Sequence, residues 1–105
     1  MADVINKLVR NGIPDIIAQD GKSVTISKLV NDDEFISALH AKLDEEVAEY
    51  HESRDSEELA DIIEVVLALG AYVHRLSEKE LMRNVKDKFN DCGGFSRRYF
   101  LKEIN

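Results

Sequence analysis

Residues Leu43–Leu69 read LDEEVAEYHESRDSEELADIIEVVLAL, and this stretch decides the fold. It holds two pairs of carboxylates. Glu46 and Glu49 are three residues apart before the polar break Ser53-Arg54-Asp55-Ser56, and Glu58 and Asp61 are three apart after it. On a helix this spacing stacks the members of each pair on one face, with Cβ atoms roughly 5–6 Å apart. If the chain folds back at the break as an antiparallel hairpin, position numbers at the same height on the two helices have a constant sum. Glu46 with Asp61 and Glu49 with Glu58 give the same sum. Four acidic groups would then meet at two matched levels, which is costly unless a cation neutralises them.

Outward from this centre, the first helix carries an apolar stripe of Ile36, Leu39, Leu43, Val47 and Tyr50, with Glu46 at its edge. Glu45 falls on the opposite side of the wheel and is expected to be a solvated acid. On the second helix, Glu58 and Asp61 open a line continued by Val65, Leu69, Tyr72 and Leu76, so they face a neighbour rather than water. A helix N-terminus capped by Ser56 would by itself favour acids at Glu57 and Glu58. It would account neither for Asp61 a turn later nor for the matched pair on the preceding helix.

The chain has 105 residues, which points to a single domain over 1–105. One third of the residues are charged and the formal net charge is −7, which argues against a general binder of nucleic acid or membrane surfaces. Glu64 and His74 bracket the longest apolar run, which falls short of a membrane span. The opening MADVINKLVR lacks the apolar region of a secretory signal. Cys92 is the single cysteine, so no intramolecular disulfide forms and a reducing cytoplasm is the expected setting.

In chain order, Val4–Val9 leads to the turn dipeptide Asn11-Gly12. Pro14 then opens a short helix to about Gln19, closed by Asp20-Gly21. Residues Val24–Val30 (VTISKLV) alternate apolar and polar side chains and read as a short strand or an extended arm. Asn31 or Asp32 caps the long helix that carries Glu46 and Glu49. The next helix is expected from Glu57 to Leu76; it is apolar around more than half its circumference, which predicts burial against a partner subunit. Ser77 and Glu80 form a capping box that opens a further helix through Leu81, Val85 and Phe89, stopping at Cys92-Gly93-Gly94. The tail FSRRYFLKEIN is aromatic and basic and is expected to dock on the bundle as an extended segment. The fold expected is therefore an all-α antiparallel bundle of about four helices, completed by oligomerisation to a homodimer or homotetramer, with an extended N-terminal segment and a C-terminal tail.

The acidic E-x-x-E helix followed by an E-x-x-D helix resembles the all-α nucleoside-triphosphate pyrophosphatase superfamily, the MazG-like and phosphoribosyl-ATP pyrophosphohydrolase-like proteins. Lys7-Leu8-Val9-Arg10 with Ile13-Pro14, Glu58-Leu59-Ala60-Asp61, and Gly93-Gly94-Phe95 with Arg98 are similar to a small branch of it that begins KLVR-x-x-IP and ends in a GGF segment. Asn11-Gly12 departs from the acidic and basic residues usual there, and eight residues separate Glu49 from Glu58, fewer than is common. The resemblance implies that Glu46, Glu49, Glu58 and Asp61 bind Mg2+ at a catalytic site. It also implies hydrolysis of a nucleoside triphosphate to the monophosphate and pyrophosphate, as housekeeping of the nucleotide pool.

The chemistry of the residues accords with that expectation. Magnesium takes carboxylate oxygen and retained water and bridges to phosphates. Basic residues must meet the triphosphate, and the candidates are Lys7, Arg10, Lys86, Arg97 and Arg98. His40, His51 and His74 lack the pairing of a zinc helix, and no phosphate-binding P-loop is present, since no Lys-Ser or Lys-Thr follows Gly93-Gly94. A different class of function fits the same sequence: a non-catalytic acidic helical module that binds or regulates a partner, with no dependence on divalent metal.

Overall fold

The computed structural model describes residues 3–105; the first two residues of the expected domain and of the opening MADVINKLVR lie outside it. Four helices follow one another, α1 (Ile13–Gln19), α2 (Asp32–Ser53), α3 (Ser56–Tyr72) and α4 (Glu78–Cys92). Among the described residues there is no strand, so the fold is all-α, and no helix is long and apolar enough to cross a membrane.

Local chemistry sets the boundaries. The Asn31 side chain accepts the Glu34 N–H at 3.1 Å, and three acids fill the first turn of α2, where the helix dipole favours negative charge. Arg54 ends α2 in the left-handed conformation (φ 58°), its N–H donating to the Tyr50 carbonyl at 2.7 Å. Asp55 follows as N-cap of α3, so the cap lies one residue before the expected Ser56, and the Asp55 side chain makes no capping bond. Two residues thus separate the long helices, and a connection that short forces them antiparallel. At the far end Phe35 meets Tyr72 edge to face, centroids 5.2 Å apart. Those two positions give the same sum as the acid pairs, so one register runs the length of the hairpin.

Two expectations are corrected and one open alternative is decided. Helix α3 stops at Tyr72 rather than at Leu76. Arg75 turns left-handed (φ 55°), Leu76 N–H closes on the Gly70 carbonyl at 2.8 Å, and Ser77 already begins the next cap, which leaves no room for another helical turn. Val24–Val30 forms no strand and lies exposed as an arm, because a lone extended segment has no neighbour for its backbone hydrogen bonds. The tail does not dock on its own bundle: Phe95 is 97% exposed and Phe100 85%.

The α2–α3 pair is the body of the molecule, α4 packs on α3 alone, and among the described residues α1 packs on no other helix. Leu39 and Val65 are the apolar side chains buried among the described residues. The Cα radius of gyration is 18.0 Å, against about 13 Å for a compact domain of this length.

The capping box of α4 is complete: Glu80 N–H donates to Ser77 Oγ at 3.1 Å, and Ser77 N–H donates to Glu80 Oε1 at 3.2 Å. Those bonds hold the Glu80 carboxyl below its usual range. Ser77→Ala is expected to cost about 1 kcal/mol, a fall of about 4–8 °C in melting temperature. Asp55→Ala, which loses no capping bond, should move the thermal midpoint less; an equal shift in both would contradict the assignment.

Candidate functional site

The hairpin brings the acids together. Oxygen atoms of Glu46, Glu58 and Asp61 lie within 4.8 Å of one another, and those of Glu45, Glu46 and Glu49 do the same. Glu46 is the hub of both groups. It is 6% exposed, and its two oxygens differ. Oε1 forms an ion pair with Lys42 Nζ at 3.1 Å, while Oε2 is buried without a hydrogen-bond partner. A buried carboxylate oxygen without a donor is costly. Here the residue that carries it belongs to a group of hard oxygen donors at ligand spacing, an environment into which a divalent cation fits.

The charges of the remaining acids follow from this crowding. The charge of Glu46, with loss of hydration and the further acids Glu58 and Glu45, pushes the Glu49 carboxyl up. Loss of hydration raises Glu58, and the charges of Asp61 and Glu46 add to it.

The wheel misplaced Glu45. It is half-buried and accepts from Lys7 Nζ at 2.8 Å and from Lys42 Nζ at 3.3 Å, not a free surface acid. The hydrogen bond from Lys7 holds the Glu45 carboxyl below its usual range and raises Lys7 in turn. Lys7 arrives from the N-terminal segment, which crosses the flank of α2 that an isolated helix would turn to water. A helical wheel contains no such segment.

Of the basic candidates, Lys7 and Arg10 reach the site. Arg10 lies 3.5 Å from Asp61 and 3.6 Å from Glu64, so the N-terminal segment bridges α2 and α3 through ion pairs. Together with Lys42, Glu46 and Asp61 these two cations line a cleft of about 190 Å³. Lys86 on α4, and Arg97 and Arg98 in the tail, do not line it. Lys42 is the residue that the sequence reading missed. Its signal was present as a Lys three and four residues before Glu45 and Glu46, a spacing that places all three on one flank.

No family model matches the chain, and no solved structure matches it. A similar protein is an uncharacterized protein of Mycolicibacterium smegmatis (strain ATCC 700084 / mc(2)155), 42% identical over 69 residues. The match covers 66% of this chain and 62% of that protein. The chain thus spans less than two thirds of the relative it matches.

Two measurements test the electrostatics. Lys42 is 14% and Glu46 8% exposed at the side chain, so Lys42→Met leaves an unpaired buried carboxylate and should destabilise by about 3 kcal/mol. Adding Glu46→Gln to that variant should recover most of the loss in denaturant titrations, and strict additivity of the two would contradict the pairing.

The raised Glu49 binds its proton more readily folded than unfolded. Its contribution to stability therefore falls as pH rises from about 4.3, the ordinary carboxylate value, through its raised folded value. Without divalent ions, Glu49→Gln should raise the melting temperature at pH 7 and lose that advantage below about pH 4, where both side chains are uncharged. A lower midpoint at pH 7 would overturn the sign.

Proposed function

We propose that the protein is a Mg2+-dependent nucleoside triphosphate pyrophosphohydrolase, working as a homo-oligomer, that converts an NTP or dNTP to the monophosphate and pyrophosphate. The observation that carries this reading is the buried, donor-less Oε2 of Glu46 within an acidic group that has cations at its rim. Glu46, Glu58 and Asp61 are the residues that would hold magnesium, with Glu49 beside them. The ion, when bound, supplies neutralisation of phosphate charge and a lowered pKa for bound water.

The chain's own residues divide the remaining tasks. Lys42 holds one oxygen of Glu46 and so fixes the direction of the other. Lys7 and Arg10 line the cleft beside the acids and offer positive charge to the phosphate chain. Glu49, a carboxyl raised by its neighbours, is suited to take the proton of the attacking water, because a base works best with a pKa near the working pH. A cleft of about 190 Å³ accepts part of a phosphate chain; pockets for whole small molecules run to about 300–1,000 Å³. The nucleoside must then lie outside it. Attack at the α-phosphorus follows the resemblance to the all-α pyrophosphatases. It also accords with a carboxylate cluster in place of the phosphate cradle with which P-loop enzymes cleave the terminal phosphate.

The test is a panel of normal and modified nucleoside triphosphates incubated with magnesium in water labelled with heavy oxygen. The expected result is label in the nucleoside monophosphate, with unlabelled pyrophosphate. Glu46→Gln should lower kcat/KM at least about a hundredfold, about 2.7 kcal/mol of transition-state stabilisation. Magnesium at 100 times its dissociation constant should stabilise the fold by about 2.7 kcal/mol. Release of orthophosphate and the diphosphate would refute the bond assignment. No thermal response to magnesium would favour the non-catalytic acidic module.

A further inference from the structure

The C-terminal third of the chain is built to lie against something. Helix α4 presents Met82, Val85 and Phe89 on one face, spaced by three and four residues, and they are 53%, 54% and 61% exposed. Beyond it the chain turns a defined corner. Gly93 takes φ 77°, a conformation that side chains rarely adopt, and the ring of Phe89 lies 3.1 Å from where a Cβ on Gly94 would stand. A turn follows, with Arg98 N–H donating to the Phe95 carbonyl at 3.0 Å, and then Tyr99, Phe100, Leu101 and Ile104 stand 75–87% exposed.

The surface to be covered is large. The chain exposes 9716 Å², where a compact monomer of this mass exposes about 5,900 Å². The excess of about 3,800 Å² exceeds the roughly 1,000–2,500 Å² that each subunit of an obligate homodimer commonly contributes. A second copy suits it on three counts. A chain with so little core depends for its fold on whatever covers it, and another copy is present whenever the chain is. An uncovered apolar stripe on α3, Leu59, Ile63 and Val66, matches the arm in character. Charge matches too: the arm holds Arg97, Arg98 and Lys102 against Glu103, in a chain of net charge −7 whose acids concentrate on the α2–α3 flank.

We propose that the α4 stripe and the segment Phe95–Ile104 of one copy pack across the α2–α3 body of a second copy, with Arg97 and Arg98 set against that copy's acidic flank. Each cleft is then completed by its neighbour. This accounts for two arginines absent from the cleft of their own chain. The proposal rests on the homo-oligomer reading above and is independent of the hydrolytic one.

The test uses the full chain. Light scattering at micromolar concentration should give a multiple of the monomer mass; a monomer would overturn both this proposal and the homo-oligomer reading. A photoreactive benzophenone amino acid is then placed at Tyr99 in a mixture of chains labelled with ordinary and heavy nitrogen. Cross-links from Tyr99 to α2 or α3 should carry hybrid isotope masses. Links within single chains only, from a protein that is oligomeric, would overturn the arm placement and leave oligomerisation standing. Finally, Arg97→Glu with Arg98→Glu should weaken association at least about tenfold at low salt and less at high salt, as expected for a charge pairing open to screening. An unchanged dissociation constant would remove the arginines from the interface.

Discussion

Mutual repulsion among carboxylates is the constraint on which the rest of this structure depends. Glu45, Glu46, Glu49, Glu58 and Asp61 are forced together by a two-residue turn and by the packing of Leu39 and Val65. Left alone, such a group would push α2 and α3 apart. The chain answers with three cations of different reach. Lys42 works from within the helix, Lys7 and Arg10 from the N-terminal segment, whose Leu8 and Val9 are also half-buried. The N-terminal segment is thus tied to the helices in part by the same charges that make the site.

This shared arrangement gives the site a particular balance. The cations do not neutralise the acids fully, since Glu46 keeps an oxygen with no donor and Glu49 and Glu58 are pushed up. Complete neutralisation would leave a stable and inert salt-bridge network. Incomplete neutralisation leaves uncompensated negative charge beside a cleft that Lys7 and Arg10 line.

Much of the hairpin could be read from residue spacing, because helical period and a short turn together fix which positions share a level. Glu46, Glu49, Glu58 and Asp61 converge for that reason. The misread features have a different origin. Glu45 depends on a non-helical segment crossing α2, which periodicity does not encode, whereas the pairing of Lys42 follows the helical spacing and was overlooked. The end of α3 was hidden by the apolar Leu76, which continues the stripe although Arg75 breaks the backbone course. The tail's aromatic residues were expected to dock on the bundle, and they stand exposed beside it instead.

The contact of α4 with the body has a mechanical consequence. Leu81 packs beside Gly70 at the base of α4, and the helix touches neither α1 nor α2. A helix of 15 residues is about 22 Å long, so it is a lever on a short pivot. A swing of about 10° at Gly70 carries the far end through about 4 Å over that length. Shape at the tip of such a lever is set by what it rests on, so in a closed symmetric assembly each copy would gauge the other's geometry. A substitution at the Gly70 pivot would then be felt first not where it lies but in the neighbouring molecule's cleft.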